Sequence, residues 1–198
     1  LEAAKPIEDL NARLKVLVAG QDKAGEFYRL FHYSLFSYIS HRIPEISDEL
    51  YRVDDAMMAG FGWEIGAFES WDVLGVAKTA EAMKAAGYKV APWVEEMLAA
   101  GNKTFFKIEA GKKLSYDPAS KTYKALPGGE AFIVMSNQTD KQIWKNSSCR
   151  LYELGDDVLG LQWFTKMGSI GSDVLSGIQT AIDKAEKNYK GLVIASEG

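Results

Sequence analysis

Asp48-Glu-Leu-Tyr-Arg-Val-Asp-Asp-Ala-Met-Met-Ala-Gly-Phe-Gly-Trp-Glu-Ile-Gly-Ala-Phe-Glu-Ser-Trp-Asp-Val-Leu-Gly-Val76 is the stretch that decides the fold. Its acidic start and apolar spacing predict a short helix that ends at Gly60. A tight loop follows, with glycines at 60, 62 and 66. A second short helix then carries Phe68, Trp71 and Leu74 on one side and stops at Gly75. Glycines at that density between helical pieces mean positive φ or backbone packed so closely that a Cβ is forbidden. The expectation is a compact helix–loop–helix corner with an aromatic plug.

Upstream, residues 7–17 place Ile7, Leu10, Leu14 and Leu17 on one helical face, and Gly20 ends that helix. Residues 24–41 read as a helix apolar nearly all round (Phe27, Tyr28, Leu30, Phe31, Tyr33, Leu35, Phe36, Tyr38, Ile39), which belongs inside a bundle or at a subunit interface. Pro44 breaks it. Downstream, Lys78 to Ala86 is an alanine-rich helix closed by Gly87. Pro92 to Ala100 is another, with proline in its first turn and Gly101 past its end. Residues 1–104 are therefore expected to be a helical domain.

From 105 onward the helical period gives way to short strand-like runs. Lys113 to Tyr116 and Thr122 to Leu126 flank Asp117-Pro118-Ala119-Ser120, a hairpin turn. Ala131 to Met135 is predicted as a buried strand, and Gln142 to Lys145 and Arg150 to Leu154 as shorter ones. Val158 to Phe164 reads as a strand. A loop with Lys166, Gly168 and Gly171 then leads to a helix over 172–187, with Val174, Leu175, Ile178, Ile182 and Ala185 inward. Leu192 to Ala195 is a second strand. Strand, crossover helix and strand within roughly 40 residues make a right-handed βαβ unit.

The chain has 198 residues, 47% hydrophobic and 25% charged, with a net charge of −4. It reads as globular, with no basic footprint for nucleic acid. Its one cysteine, Cys149, allows neither an internal disulfide nor a cysteine metal cluster, and suits a reducing cytoplasm. No apolar run reaches the ~20 residues that span a bilayer. The start has neither a signal peptide nor an initiator methionine, which points to a piece cut from a longer chain.

The glycine corner resembles the C-terminal helical domain of 3-hydroxyacyl-CoA dehydrogenases, which carries the pattern D-x-A-M-x-x-G-x-G-x-P-x-G-P-F-E-x-x-D-x-x-G. Asp54, Ala56, Met57, Gly60, Gly62, Gly66, Phe68, Glu69, Asp72 and Gly75 fall in register. Glu64 and Ala67 stand where the family usually has proline, as a divergent or duplicated copy would. The βαβ unit is similar to the opening of the crotonase (enoyl-CoA hydratase) fold, whose first oxyanion loop would begin near Ser196. A crotonase strand truncated there would leave unpaired edges, so the resemblance implies dimerisation or disorder over 160–198. Together the resemblances imply an α+β fragment of a bifunctional fatty-acid β-oxidation protein: a dehydrogenase-like helical domain over 1–104, then a β-rich connector and truncated crotonase-like unit over 105–198.

They also imply where chemistry lies. The dehydrogenase family's NAD site and histidine–glutamate pair sit upstream in a Rossmann domain. No strand-borne G-x-G-x-x-G occurs here, since Gly60-Phe61-Gly62 follows a helix. The family's helical-domain asparagine would fall at Tyr28-Arg29-Leu30, so its amide is missing. The hydratase carboxylates and oxyanion donors would lie past Gly198. The fragment is thus expected to be inactive alone, with no catalytic, cofactor or metal residues. Acyl-CoA thioesters, an upstream Rossmann domain, a downstream crotonase domain and a homodimer are the implied partners. Lys166 is a substrate-binding candidate, because the crotonase first-strand loop lies near the CoA phosphates. Gly60, Gly62, Gly66, Phe68, Glu69, Asp72 and Gly75 form a structural motif.

The remaining polar residues have structural readings. His32 is a satisfied or interface histidine, and His41 compensates a helix dipole. Glu45, Asp48 and Glu49 start a helix, Glu69 and Asp72 accept hydrogen bonds from the glycine loop, and Trp63 and Trp71 plug the core. The alternative function is a self-standing helical interaction or scaffolding module that binds a partner through the Phe-Tyr-rich helix.

Overall fold

The computed structural model describes residues 1–129 and 131–196. They form an α+β protein of two compact units, Leu1–Lys107 with Lys113–Leu126, and Ile108–Lys112 with Pro127 onward. Among the described residues, no helix is long and apolar enough to cross a membrane.

The first unit holds helices α1 (Leu10–Ala19), α2 (Lys23–His41), α3 (Leu50–Phe61), α4 (Ala67–Leu74), α5 (Val76–Ala85) and α6 (Pro92–Ala99). Local chemistry sets their ends. Asp9 and Asp22 cap α1 and α2, accepting from Ala12 N at 2.6 Å and Gly25 N at 2.8 Å. The Arg29 guanidinium of α2 donates to Val18 O at 2.8 Å, satisfying a carbonyl that the end of α1 leaves free. Gly75, at φ 88°, is the joint between α4 and α5. The helix over 24–41 is only half enclosed: Phe36 and Ile39 are buried, whereas Phe27 and Tyr38 are each 64% exposed.

Phe36 lies parallel to Trp71 at 4.8 Å between ring centroids, and Phe105 meets Phe68 at 5.1 Å and Trp71 at 5.2 Å. Leu50, Met83, Val94 and Met97 complete this core, all fully buried. The three-stranded sheet β1 (Phe106–Glu109), β2 (Lys112–Asp117) and β3 (Thr122–Ala125) follows in that order. The β2–β3 hairpin pairs Asp117 with Thr122, and Asp117 Oδ1 holds the turn by accepting from Ala119 N.

In the second unit, β4 (Gln142–Lys145), β5 (Cys149–Gly155) and β6 (Val158–Trp163) are antiparallel neighbours. Helix α7 (Ser172–Asn188) leads to β7 (Gly191–Ser196), which runs parallel to β6 from Val158↔Gly191 to Trp163↔Ser196. Cys149, Leu151, Leu159 and Leu161 form a core with Val174 and Ala181 of α7.

Two expectations are corrected here. Residues 131–135 form no strand: Phe132 is 73% and Ile133 55% exposed, and Met135–Asn137 is a 3-10 turn. A strand needs a neighbour for its N–H and C=O groups, and β5, β6 and β7 pair among themselves and with β4. Only Met135 is buried, against Gly160. The inner face of α7 is also only partly the predicted one: Val174, Ile178 and Ala185 pack on the core, whereas Leu175 and Ile182 do not. Val174, Gly177 and Ala181 are buried, while Leu175 is 60% exposed. Small residues win because the helix lies so close to β5 that a Cβ on Gly177 would stand 2.7 Å from Cys149 Sγ.

That approach decides the sign of a substitution. Alanine in a helix interior normally gains about 1 kcal/mol over glycine. Gly177→Ala is instead expected to lower stability by about 1–2 kcal/mol through overpacking. Adding Cys149→Ala should restore most of the melting temperature. A stabilising Gly177→Ala would show that α7 lies farther from the sheet.

Candidate functional site

The corner between α3 and α4 holds two of the first unit's buried polar side chains, Asp54 and Ser70. Helix α3 continues through Gly60 to Phe61, and Gly62 closes it in the left-handed region at φ 65°. The chain returns to Gly66, which precedes the first turn of α4. There Asp54, on α3 and 2% exposed, accepts from Phe68 N (2.8 Å) and Glu69 N (2.9 Å), one with each carboxylate oxygen. A Cβ on Gly66 would lie 2.2 Å from both Cβ and Cγ of Asp54, so only glycine lets the carboxylate reach the helix end. Ser70 Oγ donates to Gly66 O at 2.7 Å and fixes the same turn.

A second carboxylate repeats the device. Asp72 accepts from Phe105 N at 2.7 Å and Phe106 N at 2.8 Å, tying α4 to the start of β1. Burial pushes the pKa of Asp54 and of Asp72 up to about 7, and the backbone donors of each pull it down. Glu69 pairs with Lys113, whose ammonium also lies 4.9 Å from the Phe106 ring centroid. The expectation that Glu69 and Asp72 bind the glycine loop is thus corrected. Asp54 does so, while Asp72 and Glu69 reach forward to 105–106 and Lys113. An acceptor on the preceding helix, so far upstream of the turn it caps, carries no local capping signature. Only its place in the family pattern singled Asp54 out.

The other candidates are scattered. Lys166 is exposed, in the second unit, at the start of a 3-10 turn Lys166–Gly168, beside Met167 at 95% exposure. Trp71 is fully buried, but Trp63 is only half-buried, against Phe31 and Phe61. His32 is buried with Nδ1 2.6 Å from Tyr28 O, and His41 reaches Ser37 O at 2.7 Å. Glu49 pairs with Arg52, and Glu45 with Arg42. Among the described residues, no group of His, Cys, Asp or Glu is placed to hold a metal.

Chemically this is a clamp. The first-turn N–H groups of α4, where a helix would receive a phosphate, are already filled by the chain's own carboxylate. The corner leads from helix to helix, so these residues do not fit a dinucleotide.

A helical unit closed by a buried carboxylate clamp and an α/β unit with a parallel strand pair define the class structurally. The chain is 36% identical, over its whole length, to a quarter (25%) of a Bacillus subtilis (strain 168) protein named "Probable 3-hydroxyacyl-CoA dehydrogenase". It is 24% identical, over 93% of its length, to 23% of a Rickettsia felis protein named as a fatty acid oxidation complex trifunctional enzyme. The chain thus spans about a quarter of the length of these curated relatives. No family model and no solved structure matches it.

Proposed function

We propose that this chain is a non-catalytic part of a protein that oxidises 3-hydroxyacyl-CoA with NAD in fatty-acid β-oxidation. Residues 1–104 would be a second, silent copy of the dehydrogenase's C-terminal helical domain. Residues 105–198 would be a connector and the opening of an enoyl-CoA hydratase (crotonase-type) domain. The observation that carries the reading is the full-length match to one quarter of a protein of that name. The clamp at Asp54 and Gly66 supports it, because it gives the in-register motif a structural purpose.

NAD would be bound outside this chain, in an upstream Rossmann domain, and acyl-CoA thioesters would be the parent's substrates. Gly60, Gly62, Gly66, Phe68, Glu69, Asp72 and Gly75 would build the corner, and Lys166 would meet a CoA phosphate in the crotonase part. A cytoplasmic location and a homodimer complete the proposal. The natural reading frame around residues 1–198 tests it. A G-x-G-x-x-G fingerprint upstream and an oxyanion-loop sequence downstream are expected, and the absence of both would overturn it.

A second reading has its own observation. Phe27 at 64% and Phe61 at 72% exposure, with Phe31 and Trp63 between them, form an aromatic face suited to a protein partner. A self-standing scaffolding module would need that face. A reading frame that holds this chain alone would favour it.

A further inference from the structure

A cleft of about 440 Å³ lies among α1, α2, α4 and α5 of the first unit, within the size range of small-molecule sites. Its charged lining has one sign. Lys15 comes from α1, Arg29 from α2 and Lys78 from α5. None of the described residues that line it is acidic, although the whole chain carries a net charge of −4. The nearest acidic residues along those helices, Glu26 and Glu81, are exposed and do not line it. Asp22 is committed to Gly25 N and the N-terminal ammonium.

These charges are not neutralised within the chain. Among the described residues, Lys15 and Lys78 make no ion pair. Arg29 is fixed by donating from Nη1 to Val18 O and Gly20 O, two uncharged acceptors that leave its charge uncompensated. Thr79 is 6% exposed, and its hydroxyl reaches only Leu74 O, at 3.5 Å, the outer limit of a hydrogen bond. That donor can turn to a better acceptor in the cleft. Helix α5, which supplies Lys78 and Thr79, has no side-chain cap, so its positive dipole end adds to the same field. Three like charges facing one space repel, and a bound anion relieves that repulsion.

The lining also selects the kind of anion. Three cations exceed the single charge of a carboxylate, whereas a phosphate monoester carries about −1.5 to −2 at neutral pH and offers three strong acceptor oxygens. Val18, Leu74 and Ala82 add apolar wall, and Tyr33, edge-on to Tyr88 at 6.0 Å, adds an aromatic one. A bare ion would leave those walls uncovered. We propose that this cleft binds a phosphate monoester of a small, uncharged organic body, with the phosphate between Lys15, Arg29 and Lys78 and the Thr79 hydroxyl donating to it. This goes beyond the function proposed above and stands whether or not the parent oxidises thioesters.

The test uses the full chain and three probes: phenyl phosphate, the near-isosteric but singly charged phenyl sulfate, and inorganic phosphate, which has no organic body. Calorimetry measures affinity, and the amide NMR shifts of Lys78 and Thr79 locate the ligand. Phenyl phosphate is expected to bind saturably, about fivefold tighter than either other probe, the effect of one partly screened ion pair or of one covered apolar wall. Lys15→Gln and Lys78→Gln should each weaken it about fivefold. Both lysines are exposed, so neither change should disturb the fold. Lys187→Gln, in the other unit, should change nothing. Phenyl phosphate matched in affinity by the sulfate or by inorganic phosphate, unmoved amides, or the absence of saturable binding would each overturn the proposal. So would unchanged affinity in both cleft variants, or an equal loss in Lys187→Gln.

Discussion

Gly66→Ala is expected to lower the stability of the first unit by about 3 kcal/mol, a fall in melting temperature on the order of 10 °C. The methyl group would stand 2.2 Å from Asp54 Cβ and Cγ. Neither neighbour can yield cheaply: Asp54 is on α3, 2% exposed, and both its oxygens are committed to backbone donors. Relief would require α4 to move off its cap. Gly60 is the control within the same motif. It lies inside α3, with nothing within 4 Å of its hypothetical Cβ. Gly60→Ala is therefore expected to be neutral, or stabilising by up to about 1 kcal/mol. Urea unfolding followed by tryptophan emission measures both. Equal effects at the two positions would mean that the corner is not packed as described.

Asp54→Ala is expected to cost about 4 kcal/mol. It orphans two N–H groups in the first turn of α4, each worth about 1–3 kcal/mol when buried without a partner, and opens a cavity. Asp54→Asn keeps one acceptor oxygen and should cost about half as much. Its pH dependence has a definite sign. Burial holds the folded carboxyl's pKa at about 7, above the ordinary 3.8. The folded state then keeps a proton that the unfolded chain gives up between those values, so wild-type stability falls as pH rises through that window. Asparagine does not titrate, so the deficit of Asp54→Asn should be smaller at about pH 8 than at about pH 5. A deficit that grows with pH would mean that the two backbone donors outweigh burial.

These two positions also show what was legible in the sequence. The glycines at 60, 62, 66 and 75 announced a corner, and helices α2, α4 and α6 follow their apolar spacing and breakers. The reason for Gly66 was not legible. It depends on a side chain on the preceding helix, and long-range contact leaves no periodic trace. Glu69 and Asp72 read in the sequence as acceptors for the glycine loop, but their actual partners at Lys113 and residues 105–106 arise only once β1 and β2 are in place.

The misread stretch over 131–135 has a related cause. A run of Phe-Ile-Val satisfies strand propensity, but propensity supplies no neighbour to pair with. On α7, hydrophobicity nominated Leu175 and Ile182 for the inner face, whereas close packing selected Gly177 and Ala181. His32 was legible as a buried, hydrogen-bonded residue.

The most direct measurement is NADH formation from 3-hydroxyacyl-CoA and NAD, compared between the proposed longer parent and the 198-residue chain alone. Turnover by the longer protein is expected, with none by the chain and no shift of the chain's melting temperature by NAD. Turnover or NAD-induced stabilisation with the chain alone, or an inactive longer protein, would contradict the reading of these residues as the silent part of an oxidising enzyme.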